Sequence, residues 1–232
     1  MGRQLKGLLY FFITDVRHSF FIFWTILLST LCISIFISQL LSGSITEMAF
    51  ALSIPIYIYC SIMGFLTVKE SIPFAVKMGA TRKNIFISLG TFLFGIALIK
   101  ALMANTLQII ITSINKLIGN ETFVFMHPAQ LLNDSWITRV IVDVSIMVLL
   151  LAIMFLLGLL FYKYGLLGGG SVVGVLVIVF LVGMEQGWIG DFFVDLYRSL
   201  SITSFYQVLL FGLVLYCITW TMLRRITSVK TR

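Results

Sequence analysis

From Val140 to Tyr162 the chain runs through twenty-three residues with a single charge, Asp143. About 20 apolar residues in a helix span the hydrocarbon core of a bilayer, and only a helix or a closed barrel satisfies its own backbone there. Comparable runs recur at about 19–41, 50–68, 85–114, 166–184 and 205–223. The pattern predicts an all-α integral membrane protein with six transmembrane helices, forming one transmembrane domain over 1–232. Only 11% of residues are charged and the mean hydropathy is +1.09, against about 25% charged in soluble domains. The loops are too short to hold a soluble catalytic domain. Pro55 lies in the first turns of the second run and marks either a kink or its true start. The fifth span has only about 13 uninterrupted apolar residues after Ser171, so it crosses fully only if Gly165 to Gly170 is embedded too.

The charges set an orientation. Segments expected on one side carry Arg3, Lys6, Arg17, Lys69, Lys77, Arg82, Lys83, Lys163, Arg224, Arg225, Lys230 and Arg232, whereas the other side carries Lys116, Arg139 and Arg198. The cation-rich side is cytoplasmic by the positive-inside rule, which places both termini in the cytoplasm. The formal charge of +7 follows from that topology and not from nucleic-acid binding. At the start, Leu5, Leu8, Leu9, Phe12 and Ile13 share a helical face, predicting an amphipathic interfacial helix over about 3–16 ahead of the first span. Asp15 and Arg17 interrupt it, so it does not read as a signal peptide. Cys32, Cys60 and Cys217 all fall in apolar runs and read as small packing residues.

Between the second and third runs lies Ser71-Ile72-Pro73-Phe74-Ala75-Val76-Lys77-Met78-Gly79-Ala80-Thr81-Arg82-Lys83-Asn84. Ser71 is a candidate cap, Pro73 suits a first helical turn, Gly79 suits a left-handed stop, and Thr81 suits the cap of the following helix. Phe74 and Met78 lie four apart on one face. The stretch predicts a helix of about two turns lying along the cytoplasmic membrane surface.

This arrangement, with the run Met78-Gly79-Ala80-Thr81-Arg82-Lys83, resembles the coupling segment of ABC transporter permeases, in the small six-span type-2 exporter family. The resemblance extends over the chain in span count, in an elbow helix before the first span, and in a section at about 185–204 that dips back into the outer leaflet. It implies a permease that is not itself an enzyme. It further implies a second permease chain, identical or a sister, and two cytoplasmic ATPase subunits that hold the ATP and Mg. Pro73, Phe74, Lys77, Met78, Gly79, Ala80, Thr81, Arg82 and Lys83 would then dock the ATPase. The chain carries no Walker motif, so ATP hydrolysis belongs to another polypeptide. It lacks the large outer domain of some such permeases. The expected setting is a bacterial cell membrane, with a hydrophobic peptide, toxin or lipid as cargo.

Polar residues inside the spans form the second set of candidates, because an unpaired ammonium costs about 2.5–3.5 kcal/mol at the centre of a spanning helix on insertion scales. Lys100 is expected to face the interior and pair with Asp143 or Glu185. Asn105 and Gln108, one and two turns on, line an aqueous path or bond across helices. Gly170 with Gly174, and Gly183 with Gly187, have the small-xxx-small spacing of close helix contacts. His18 and His127 are expected on opposite sides, with no shared metal, and no protease-like arrangement appears. Two rival readings stand beside the exporter. One is an ion-coupled secondary transporter or channel using Lys100 and Asp143, the other a non-transporting scaffold or sensor component.

Overall fold

The computed structural model describes residues 2–41, 47–119 and 122–224. The cations Arg225, Lys230 and Arg232 and most of the connection between the first two spans lie outside the described residues. The order is α1 (Gly2–Leu40), β1 (Met48–Phe50), α2 (Ser53–Lys69), α3 (Ser71–Lys77), α4 (Arg82–Ile118), β2 (Phe123–Phe125), a 3-10 turn (Pro128–Leu131), α5 (Trp136–Glu185), α6 (Trp188–Arg198) and α7 (Ile202–Leu223). Four of these, α1, α4, α5 and α7, are long and apolar enough to cross a membrane. The 17 residues of α2 make a rod of about 25 Å.

Each boundary has a local cause. Ser135 caps α5 by accepting the Thr138 N–H at 3.2 Å, and Thr81 caps α4 by accepting the Asn84 N–H at 3.4 Å. Gly119 closes α4 at a φ of 75°, a left-handed conformation that only glycine enters without strain. Pro55 falls in the first turn of α2, so it marks the start of that helix and not a kink.

The core is built around α5. Met147, Leu151, Phe155 and Leu159 recur every four residues and are all buried, against α2 on one side and α7 on the other. Glycines bring these helices to near-contact. A Cβ on Gly64 of α2 would lie 2.8 Å from the Leu151 carbonyl oxygen, and one on Gly212 of α7 would lie 3.0 Å from the Leu149 backbone. Such approaches let helices gain dispersion contacts where lipid supplies no hydrophobic drive. The glycine pairs singled out in the sequence behave differently. Gly170 and Gly174 face open space, while Gly183 makes room for Trp188 and Ile189 at the corner into α6.

The chain differs from the expected layout in three places. No break separates an elbow from the first span, because α1 is one continuous helix with no glycine or proline between Leu8 and Leu40. The stripe of Leu8 and Phe12 is buried against protein, with Phe12 against Phe92 of α4, instead of lying open along one face. The glycine run 168–170 is helical. The chain turns at Gly165 alone (φ 71°, ψ −170°), and Gly169 lies against the Phe161 ring. A straight helix would place residues eight apart about 12 Å from each other. Finally, β1 pairs with β2 in parallel, Met48 opposite Phe123 and Phe50 opposite Phe125. This miniature sheet tied across two connections has no precursor in the hydropathy pattern.

These pairings give the bundle two ends. The strands and the 3-10 turn occupy one. The other holds α3, both ends of the described chain, and Arg3, Lys6, Lys69, Lys77, Arg82, Lys83, Lys163 and Arg224. In the first turn of α5, Arg139 forks onto Asp134, just ahead of the helix, through Nε–Oδ1 and Nη2–Oδ2 contacts of 2.5 Å. The guanidinium holds the Asp134 carboxyl below its ordinary range, against a smaller opposing effect of burial. The stabilisation is therefore present above the usual aspartate value of about 3.9 and lost as the pH falls through the depressed one. Asp134→Asn is expected to cost no more than about 1 kcal/mol at neutral pH. In unfolding series at stepped pH its deficit should vanish once wild-type Asp134 is itself protonated.

Candidate functional site

Three sites collect the residues that the sequence singled out. The first is α3 and its flanks. Glu70 and not Ser71 occupies the cap position and makes no side-chain cap bond, while the Ser71 hydroxyl donates instead to Asp15 Oδ2 at 3.3 Å. Gly79 stops the segment at a φ of 76°, its N–H donating to the Val76 carbonyl. One face is fully buried through Ile72 and Ala75, leaving Lys77, Met78, Thr81 and Lys83 exposed; Pro73, Ala80 and Arg82 are intermediate. Phe74 is only partly open, because it stacks on Phe11 of α1 at 4.3 Å between ring centres. Gln4 completes the attachment, donating to the Gly79 carbonyl at 3.2 Å and accepting from the Asn84 amide. The N-terminal turns of α1 are thus fastened to both ends and the middle of this connection.

The second site lies toward the strand end, around Asp143. Its carboxylate accepts from Tyr57 Oη of α2 at 2.5 Å, from Asn105 Nδ2 of α4 at 2.7 Å and from His127 Nε2 at 3.1 Å. The His127 tautomer follows from its other nitrogen. Nδ1 accepts the Ala129 N–H at 3.0 Å, so the proton sits on Nε2 and points at Asp143. Gln130 closes the loop by donating to the Phe125 carbonyl at 2.6 Å. Four elements meet at one buried carboxylate, each supplying a donor or the acceptor. A cavity of about 340 Å³ opens beside it, lined by Ile54, Tyr57, Met126, His127 and Leu131. The Tyr57 hydroxyl and both His127 nitrogens are already committed to these bonds, so the arrangement clamps α2, α4, α5 and the 3-10 turn together.

The third site surrounds Lys100, which is completely buried on α4. Its amine lies over four rings, Tyr59 at 3.8 Å, Phe23 at 4.1 Å, Phe20 at 4.9 Å and Trp24 at 5.6 Å from the centroids. Among the described residues Nζ has no hydrogen-bond partner. The expected pair with Asp143 or Glu185 is therefore absent. Asp143 is occupied by three other donors, and Glu185 is exposed at the end of α5. Aromatic faces, not a carboxylate, hold this ammonium. Gln108 is buried on α4, one turn beyond Asn105.

Tyr57, His127 and the aromatic cage were not identified from the sequence. The signal for the cage was present in the spacing of Phe20, Phe23 and Trp24, which puts three rings on one helical face. His127 read as isolated because its partner lies 16 residues on, in the next helix. Among the described residues no group of three or more metal-ligating side chains forms. No known protein family, curated protein or solved structure matches the chain.

Proposed function

We propose that the chain is the membrane-spanning subunit of an ATP-driven exporter, gripped by a separate ATPase through α3. In this reading α1, α2, α4, the two arms of α5, and α7 make six spans, with α3 and both termini on the cytoplasmic side of a bacterial cell membrane. A second permease chain, identical or a sister, completes the path, and ATP and Mg reside in the ATPase pair. The observation that carries it is the form of α3, a seven-residue helix whose buried face is fixed to the bundle. Its outer face offers an apolar knob, Met78, beside Lys77 and Lys83. Phe74 stacks one face on Phe11 and stays exposed on the other, so Met78, the more exposed of the two, is the principal contact.

The attachments supply a route for work. A push on α3 is felt at Gln4, Phe11 and Asp15, and α1 is unbroken from Gly2 to Leu40. It therefore reaches the whole first helix as a rigid displacement. Packed elements of this kind switch between discrete arrangements instead of deforming smoothly. The ion-coupled rival needs Lys100 and Asp143 to exchange a proton, and the two sit in separate sites with separate partners.

The test is copurification from native membranes. A nucleotide-hydrolysing partner is expected with the wild type and with Asp191→Ala on exposed α6, but lost in Met78→Asp, with yield of the chain itself unchanged. Retention of the partner by Met78→Asp, or its absence from the wild type, overturns the reading.

A further inference from the structure

Among the described residues, two buried donors of one aromatic cluster lack acceptors. One is Lys100 Nζ on α4, the other Trp24 Nε1 on α1. Both residues belong to the same aromatic cluster, the amine lying 5.6 Å from the Trp24 ring centre. An ammonium carries three N–H donors; ring faces balance its charge but accept its hydrogens poorly. The cage is also one-sided in charge, since the Tyr59 hydroxyl donates to Ser19 and no carboxylate among the described residues reaches the amine. Beside it, between α1 and α4, runs an apolar groove of about 420 Å³, bordered by Trp24, Leu28, Met103, Leu107 and Ile110. Trp24 borders both the cage and the groove.

We propose that this place binds the carboxylate of a single-chain amphiphile, a long-chain fatty acid in chemical class. The head would accept from Lys100 and Trp24, and the tail would lie in the groove between α1 and α4. The two residues supply donors within one cluster, enough for the two oxygens of a carboxylate. The groove volume lies at the lower end of the range for small-molecule sites, which suits one acyl chain better than the two chains of a phospholipid. A carboxylate adds a charge-assisted pair with the ammonium that an ester cannot make, so the site should favour acid over ester. Lys100 is completely buried under its rings, so entry of the head requires those rings to part. The site is internal to one chain and is defined without reference to α3 or an ATPase.

The experiment uses full-length protein in phosphatidylcholine nanodiscs, titrated with dibrominated stearic acid and with its methyl ester while tryptophan emission is followed. Both compounds partition into the bilayer, so collisional quenching is common to them. The expected result is a saturable component for the acid, half-complete at a concentration about tenfold below any seen for the ester. Trp24→Phe should remove that component, and Lys100→Met should erase the preference for the acid. Equal quenching of the wild type by acid and ester overturns the proposal, and so does an unchanged preference in Lys100→Met. Should Lys100→Met not fold, the wild-type comparison of acid with ester decides alone. Displacement of the bound acid by an equal concentration of phosphatidic acid would overturn the single-chain assignment. No arm involves ATP, so a negative outcome here leaves the docking of α3 untouched.

Discussion

Asp143→Ala is expected to destabilise the bundle by about 3–5 kcal/mol, the cost of removing one partner from a buried charged network. The substitution strands three donors, Tyr57 Oη, Asn105 Nδ2 and His127 Nε2, each losing its carboxylate acceptor at a buried position. Loosening His127 also releases the 3-10 turn, because the same ring caps it by accepting from Ala129. In thermal unfolding of the detergent-solubilised protein the loss should appear as a drop in Tm on the order of 10 °C. Tyr57→Phe removes one donor and leaves the acceptor supplied by the other two, so about 1 kcal/mol is expected. An Asp143→Ala midpoint close to that of Tyr57→Phe would show that the carboxylate does not hold these elements together.

The second large effect is steric. Gly64→Leu should abolish the contact between α2 and α5, with yield of folded protein as the measurement. A first side-chain carbon at Gly64 already meets a backbone oxygen at 2.8 Å and the Met154 Cβ at 3.3 Å. A backbone oxygen cannot rotate away, so even Gly64→Ala should cost about 1–3 kcal/mol, and the full leucine forces the helices apart. Gly174→Leu is the paired control. That position faces open space within the chain, and the change should stay within about 0.5 kcal/mol. Equal losses at positions 64 and 174 would mean that close packing of α2 on α5 is not what orders the bundle.

These two cases also show where the sequence is legible. Helices, their approximate ends and the break at Gly79 follow from hydropathy, capping chemistry and the conformational freedom of glycine, all of which act within a few residues. The role of Gly64 does not, because its neighbour Leu151 is far along the chain and the glycine has no motif partner on its own helix. The G-x-x-x-G at Gly170 and Gly174 has the motif, yet a Cβ at either glycine would meet nothing within 4 Å among the described residues. Burial of Asp143 and Lys100 was foreseeable from the cost of charge in lipid, yet their partners were not. Pairing them with each other used charge alone, whereas Asp143 found neutral donors on three other elements and Lys100 found ring faces. The continuity of α1 was missed for a related reason. Asp15 and Arg17 looked like the end of an interfacial segment, but a charged pair does not interrupt a helix, and Asp15 is tied to Ser71 of α3.

The central claim is that α3 is held by an ATPase on the cytoplasmic side. Its most direct measurement is photocrosslinking from position 78 in intact cells, using Met78→Cys carrying a benzophenone probe. The account predicts a covalent product with a nucleotide-binding protein, formed at position 78 but not from a probe at exposed Val175 on α5. Modification of the position-78 cysteine by a membrane-impermeant thiol reagent added outside the cells, or a crosslinked product containing no nucleotide-binding protein, would contradict it.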